Sequence, residues 1–279
     1  MMNKEKFNNW LEKPEKCLIM GIINMTPDSF SDGGNLHSTN QAIDFAYKLI
    51  DNGADIVDIG GESSRPGANP ISDIEEINRI SPLIEELGKN TNCLISIDTY
   101  KPTTAKFALD NGVDIINDIS GLTYDSEMVD IISNFNATVV IMHMKGNPKT
   151  MQENPKYVDL INDIKDFFTN QIEIATNHGI DKKNIILDPG IGFGKGLDDN
   201  FEIIAKLKQI CDMGYPVLVG PSRKSFIGET LNSAVNDRLE GSLAAASACY
   251  MNGAKIVRVH DVKETKQNLL IIEKIIESS

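Results

Sequence analysis

Short apolar runs alternate with amphipathic stretches along the whole chain. Eight runs are continuous in apolar character: Leu18 to Met25, Ile56 to Gly60, Leu94 to Asp98, Ile115 to Ile119, Thr138 to Met144, Ile185 to Pro189, Val217 to Pro221 and Ile256 to His260. Such runs fit parallel strands buried on both faces. Between them the apolar residues recur at helical spacing. Ser72-Asp73-Ile74-Glu75 reads as a capping box opening a helix through Leu87. Tyr157 to Asn177, Asp237 to Asn252 and Thr265 to Ser279 read as further helices. Several helix-to-strand junctions carry glycine, as in Asn52-Gly53-Ala54-Asp55, Asn111-Gly112-Val113-Asp114 and Asn252-Gly253-Ala254. Glycine there takes the left-handed conformation that caps a helix. A capped helix feeding a buried strand is half of a βαβ unit.

Eight such units in 279 residues predict a single-domain α/β fold, a (β/α)8 TIM barrel over residues 17–279, with residues 1–16 as an N-terminal extension. The competing doubly wound sheet lacks its fingerprint. Gly190-Ile191-Gly192-Phe193-Gly194 is followed by Lys195 where GxGxxG needs its last glycine, and GxxxxGK[ST] is absent.

Charge narrows the function. The chain carries 27 Lys and Arg against 40 Asp and Glu, a net −13, with no basic run, so no nucleic-acid partner is expected. No apolar stretch is long enough to span a bilayer, and residues 1–16 have no leader-like apolar core. The expectation is a cytoplasmic protein without a membrane partner. The four cysteines are dispersed and form no CxxC pair, which reads as reduced thiols. The four histidines form no HExxH motif.

In a barrel the active site lies at the C-terminal strand ends. Here each strand ends in polar residues: Asn24, Asp58, Asp98, Asn117, His143, Asp188, Ser222 to Lys224, then Arg258 and His260. One buried polar group is usually structural, but eight at one mouth call for a ligand. Asp98, Asn117, Asp188 and Lys224 together suit a heterocycle with several ring donors and acceptors. Arg65, Arg258 and His260 suit an anion such as a phosphate. Asn24 and Asp32 offer hard oxygens for Mg²⁺. Turn-rich segments 26–34 and 60–67 follow the first two strands and read as functional loops.

Seven stretches in this order resemble the dihydropteroate synthases, pterin-binding barrels of folate biosynthesis. They are GIINMTPDSFSDGG at 21–34, DIGGESSRPG at 58–67, SIDTYKP at 96–102, IINDISG at 115–121, DPGIGFGK at 188–195, SRKS at 222–225 and RVHD at 258–261. The resemblance implies a transferase joining 6-hydroxymethyl-7,8-dihydropterin diphosphate to 4-aminobenzoate, with release of diphosphate, and a sulfonamide target. Carried over by position, Asp98, Asn117, Asp188, Lys224, Arg258 and His260 bind the pterin diphosphate. Phe30, Ser64, Arg65, Pro66, Phe193 and Ser225 shape the aminobenzoate pocket. Asp32, Arg65 and Lys224 take the catalytic roles, Asn24 binds Mg²⁺, and the protein pairs as a homodimer. Ser64 stands where the family usually has Thr, and Ile191 where many members have Phe.

Two rivals share the pterin residues: a methyltetrahydrofolate–corrinoid methyltransferase and a non-catalytic pterin-binding barrel. The first needs neither Arg258 and His260 nor SRKS; the second would be helped by loss of Asn24, Asp32 or Arg65, all present. A phosphate-binding aldolase using Lys224 as a Schiff-base lysine is disfavoured by the neighbouring pterin set.

Overall fold

The computed structural model of the chain describes residues 2–26, 39–65, 67–153 and 155–278. Within them the eight apolar runs are strands: β1 (Leu18–Asn24), β2 (Ile56–Gly60), β3 (Leu94–Asp98), β4 (Ile115–Asp118), β5 (Thr138–Met142), β6 (Ile185–Asp188), β7 (Leu218–Val219) and β8 (Ile256–Val259). All pairings are parallel, in the order β6-β5-β4-β3-β2-β1-β8-β7. A bridge between Leu187 and Val217 joins the two outer strands, so the sheet wraps into a barrel. β7 is shorter than its run, because Pro216 and Pro221 flank it and bring no N–H to the ladder.

Helices cover the outside: α1 (Lys4–Glu12), α2 (Thr39–Asp51), α3 (Asp73–Asn90), α4 (Pro102–Asp110), α5 (Glu127–Phe135), α6 (Leu160–Asn177), α7 (Leu197–Ala205), α8 (Leu207–Cys211), α9 (Ser225–Leu231), α10 (Leu239–Met251) and α11 (Val262–Glu277). The capping box at Ser72 is only half formed. Ser72 Oγ accepts from Glu75 N at 3.2 Å, but the Glu75 carboxylate pairs with Arg79 one turn on. No helix of the described residues is long and apolar enough to cross a membrane.

Inside the barrel the side chains form layers. Leu18, Met20, Ile56, Leu94, Ile115, Val140, Ile186, Leu218 and Ile256, with contributions from all eight strands, fill the lower interior. Alternate residues of a strand share a face. Two positions further along the same strands stand Asp58, Ser96, Asn117, Met142, Asp188, Gly220 and Arg258. The apolar layer therefore becomes a polar one towards the C-terminal mouth.

Helix α1 closes the floor. Phe7, Trp10 and Leu11 lie at helical spacing on its buried face and join the lower layer. The Phe7 and Trp10 rings stack with centroids 5.7 Å apart, and Trp10 Nε1 donates to Lys16 O at 2.9 Å. Truncating Phe7 to Ala should cost about 3–5 kcal/mol, the usual range for a buried aromatic. A lowered urea midpoint with unchanged steepness would check this; an unchanged midpoint would remove α1 from the core.

Candidate active site

A recess opens at the mouth of the barrel, lined by Asp98, Asn117, Asp188, Lys224 and Arg258 with Ile119, Met142, Ile191 and Phe193. At its base Arg258 lies between two carboxylates. Its Nε donates to Asp58 Oδ2 at 2.6 Å and its Nη2 to Asp98 Oδ2 at 2.7 Å. Asp58 is fully buried. Both bonds are charge-assisted, the strong class of hydrogen bond. One guanidinium facing two carboxylates leaves negative charge in excess. Burial pushes the Asp98 carboxyl up to about 7; Arg258 opposes the rise, while Asp58 and Glu76 add to it.

Asn117 Nδ2 donates weakly to Asp58 Oδ2, at 3.4 Å. Asn117 Oδ1, Asp58 Oδ1 and Ser96 Oγ are buried without a hydrogen-bond partner among the described residues. Such atoms cost free energy unless a ligand or water serves them. Next to them Asp188 Oδ1 accepts from Gly190 N at 2.7 Å. Burial raises the Asp188 carboxyl to about 6, against the Gly190 bond and the charges of Lys224, Lys195 and Arg258. Lys224 Nζ lies 4.1 Å from the centre of the Phe193 ring, a cation–π contact that fixes it in the wall. Burial and the Arg258 charge lower its ammonium to about 8.

The loop after β6 depends on close backbone approach. Gly190 has φ 70°, and a Cβ there would meet His143 O at 2.1 Å. Beneath it, buried Lys195 donates to His143 O and shares a hydrogen bond with His143 Nδ1, both at 2.8 Å. Burial, with the Lys195 and Lys145 charges, holds His143 neutral, down to about 2. His143 is thus committed to holding the loops after β5 and β6 together. The loop after β7 is fastened similarly: Arg223 grips Asp261 with bonds of 3.0 and 2.6 Å, and Arg238 donates to Arg223 O at 3.0 Å.

The predicted residues divide into groups. Asp98, Asn117, Asp188, Lys224, Arg258 and Phe193 converge on the recess. His260 is exposed on its rim, with Nδ1 3.1 Å from Ser222 Oγ. Ser225 is exposed at the start of α9. Ser64 and Arg65 lie on the segment after β2, outside the recess lining. Asn24 ends β1 beside Gly60, where a Cβ would sit 3.4 Å from Asn24 Oδ1 and 3.6 Å from Asp98 Cβ. Phe30, Asp32 and Pro66 lie outside the described residues. Among the described residues no group of three His, Cys, Asp or Glu side chains could hold a metal. The sequence reading assigned no role to Lys195 or Arg238 and left Asp58 without a partner. Only Asp58 had a readable signal, its place two residues after inward-facing Ile56.

The family described as pterin binding enzyme matches residues 20–260 of the chain. The dihydropteroate synthase of Escherichia coli (strain K12) is 45% identical over 255 residues, covering 91% of this chain and 90% of the relative. The fold matches the dihydropteroate synthase of Yersinia pestis, solved with a sulfonamide drug complex, with a TM-score of 0.92 at 41% identity, over 95% of this chain and 96% of the other. It also matches that of Clostridium difficile, solved in the presence of pteroic acid, with a TM-score of 0.88 at 43% identity, over 94% and 97% of the two chains. The chain therefore belongs to the pterin-binding enzyme family, among the dihydropteroate synthases.

Proposed function

We propose that the chain condenses 6-hydroxymethyl-7,8-dihydropterin diphosphate with 4-aminobenzoate to 7,8-dihydropteroate and diphosphate, a step of folate biosynthesis. The observation that carries this reading is the recess itself: two carboxylates, an amide and an ammonium converge between Phe193, Met142 and Ile119. Flat apolar walls with polar groups at the edges fit a pterin ring. Asp188 and Asn117 take its N–H and amino donors, and Lys224 donates to its oxygen or ring nitrogen. The pteroic acid in the Clostridium difficile relative contains both halves of the product.

In the reaction the bond from the methylene carbon to the diphosphate oxygen breaks, and its electron pair leaves with the diphosphate. The amine nitrogen of 4-aminobenzoate then bonds to that carbon and loses a proton to solvent. The Asp98 and Asp188 carboxylates border the recess beside Arg258 and Lys224. Placed near the pterin methylene, carboxylates favour positive charge developing there, so the substitution is dissociative and needs no covalent enzyme intermediate. Arg258 and His260 supply donors for the departing diphosphate.

The donor set fits Mg²⁺, which commonly takes one or two protein oxygens and completes its shell with substrate phosphates and water. Asn24, with Asp32, would hold it, and its charge would neutralise that developing on the diphosphate. Phe30, Ser64, Arg65, Pro66, Phe193 and Ser225 receive the aminobenzoate. Four free, dispersed cysteines, three of them buried, fit a reducing compartment such as the cytoplasm. Exposed Leu270, Ile271, Ile275 and Ile276 on α11 favour pairing into a homodimer, which light scattering would test.

Diphosphate release should require both substrates and Mg²⁺, with dihydropteroate found by mass. Tight pterin binding without any turnover would instead support a non-catalytic binder. The pH profile follows from the buried groups. Asp188 and Asp98, raised to about 6 and about 7, must be ionised, so kcat/KM for the pterin diphosphate falls as pH drops through that range. Lys224, lowered to about 8, must be protonated, so kcat/KM falls again above it. Replacing Lys224 by Arg should move the alkaline limb upward, because a guanidinium keeps its charge. An alkaline limb unmoved in that variant would exclude Lys224 as its source.

A further inference from the structure

The segment between β2 and α3 carries Ser64 and Arg65, yet these residues stand outside the recess. What holds the segment is a buried polar cluster at its neck. Glu62 Oε1 accepts from Tyr100 Oη at 2.5 Å, and its Oε2 accepts from Ile71 N at 3.0 Å and from Lys101 Nζ at 2.6 Å. Lys101 Nζ also donates to Ile71 O at 2.7 Å and pairs with Glu76 Oε2 at 3.1 Å. Both backbone polar groups of Ile71 are therefore taken by side chains, and residues 62 and 71 are tied together. Lys101 and Glu76 are 4% and 1% exposed, so this is a desolvated cluster and not a surface pair. Thr104 Oγ1 adds a bond to Glu76 at 3.0 Å.

The entry to the segment is pinned as well. A Cβ on Gly61 would meet Glu76 Cγ at 2.8 Å and Ile80 at 2.9 Å, so the chain lies flat on α3. Arg79 Nη1 donates to Gly61 O at 2.9 Å. Tyr100 connects this clamp to the recess. Its ring packs against the cluster of Ile119, Met142, Met151 and Phe193, three of which line the recess. Its hydroxyl reaches Glu62.

We infer that Glu62 is the positioning residue of the amine-substrate segment: with Lys101 and Tyr100 it closes the neck of residues 62–71 and so fixes where Ser64 and Arg65 meet 4-aminobenzoate. This rests on the reading above that Ser64 and Arg65 serve that substrate. Glu62 touches no reacting atom in this scheme. Its effect passes through the segment it fastens, so it concerns one substrate and not the other. A cluster that served only stability would not make that distinction.

The test compares Glu62→Gln and Tyr100→Phe with the native protein by steady-state kinetics in both substrates and by backbone hydrogen exchange. Glu62→Gln keeps the shape and loses the charge. Tyr100→Phe removes one bond, leaves the Glu62–Lys101 pair intact, and decides the matter should Glu62→Gln fold poorly. In Glu62→Gln the KM for 4-aminobenzoate should rise about tenfold, the value of one charge-assisted hydrogen bond. The KM for the pterin diphosphate should stay within about twofold, a change too small to represent a lost hydrogen bond. Tyr100→Phe should show the same split with a smaller rise. Exchange at the Ile71 amide should accelerate in Glu62→Gln with no substrate present. Equal rises in both KM values, or unchanged KM values with only a lower melting temperature, would overturn the proposal. So would unchanged exchange at Ile71. Native protein that ignores 4-aminobenzoate would refute the functional reading, whereas the exchange result judges the neck clamp separately.

Discussion

The guanidinium of Arg258, held between Asp58 and Asp98 inside the barrel, is the interaction on which the site depends. A buried cation is tolerated only where it is paired and fully hydrogen-bonded. Here its partners come from β2 and β3, while the arginine itself comes from β8 across the interior. Removing the guanidinium would leave two buried carboxylates without their cation, so the three strand ends are constrained together. The second carboxylate exceeds what one cation can neutralise. Burial, and after it the neighbouring Asp58 charge, raises the Asp98 carboxyl to about 7, which favours a ligand that brings donors or positive charge.

The polar layer rests on an apolar floor, and both were legible in the sequence because strand side chains alternate. Ile56 and Asp58, Ile115 and Asn117, Ile186 and Asp188, and Ile256 and Arg258 are inward pairs two residues apart. The same alternation explains why the seven matching stretches fall at strand ends. The apolar pattern located all eight strands, with boundaries differing most at β5, which ends at Met142, and at β7, where the flanking prolines leave the ladder.

Cross-loop fastening was less legible. Lys195 and His143 are 52 positions apart, and Glu62 and Lys101 are 39 apart. Each pair meets only because adjacent strands bring their loops together. Nothing in the spacing marks a lysine in a glycine-rich stretch as a buried rivet. The floor is a different case. Phe7, Trp10 and Leu11 carry helical spacing, but a stretch so rich in charge gives no sign that its apolar stripe plugs a barrel. The separation of Ser64 and Arg65 from the recess is likewise a property of the segment's path and not of its residues.

The resulting division is physical. The recess is built from strand ends and short tied loops; of the residues proposed for the amine substrate, Ser64, Arg65, Phe193 and Ser225 lie among the described residues and Phe30 and Pro66 lie outside them. The most direct measurement is a calorimetric titration of the protein with the pterin diphosphate in the absence of 4-aminobenzoate, repeated for Asp188→Asn. The native protein should bind one equivalent unaided, and the variant should bind about tenfold to a hundredfold more weakly, as loss of a charged acceptor predicts. Binding that appears only when 4-aminobenzoate is present, or equal affinity in the variant, would contradict a pterin site built into the barrel.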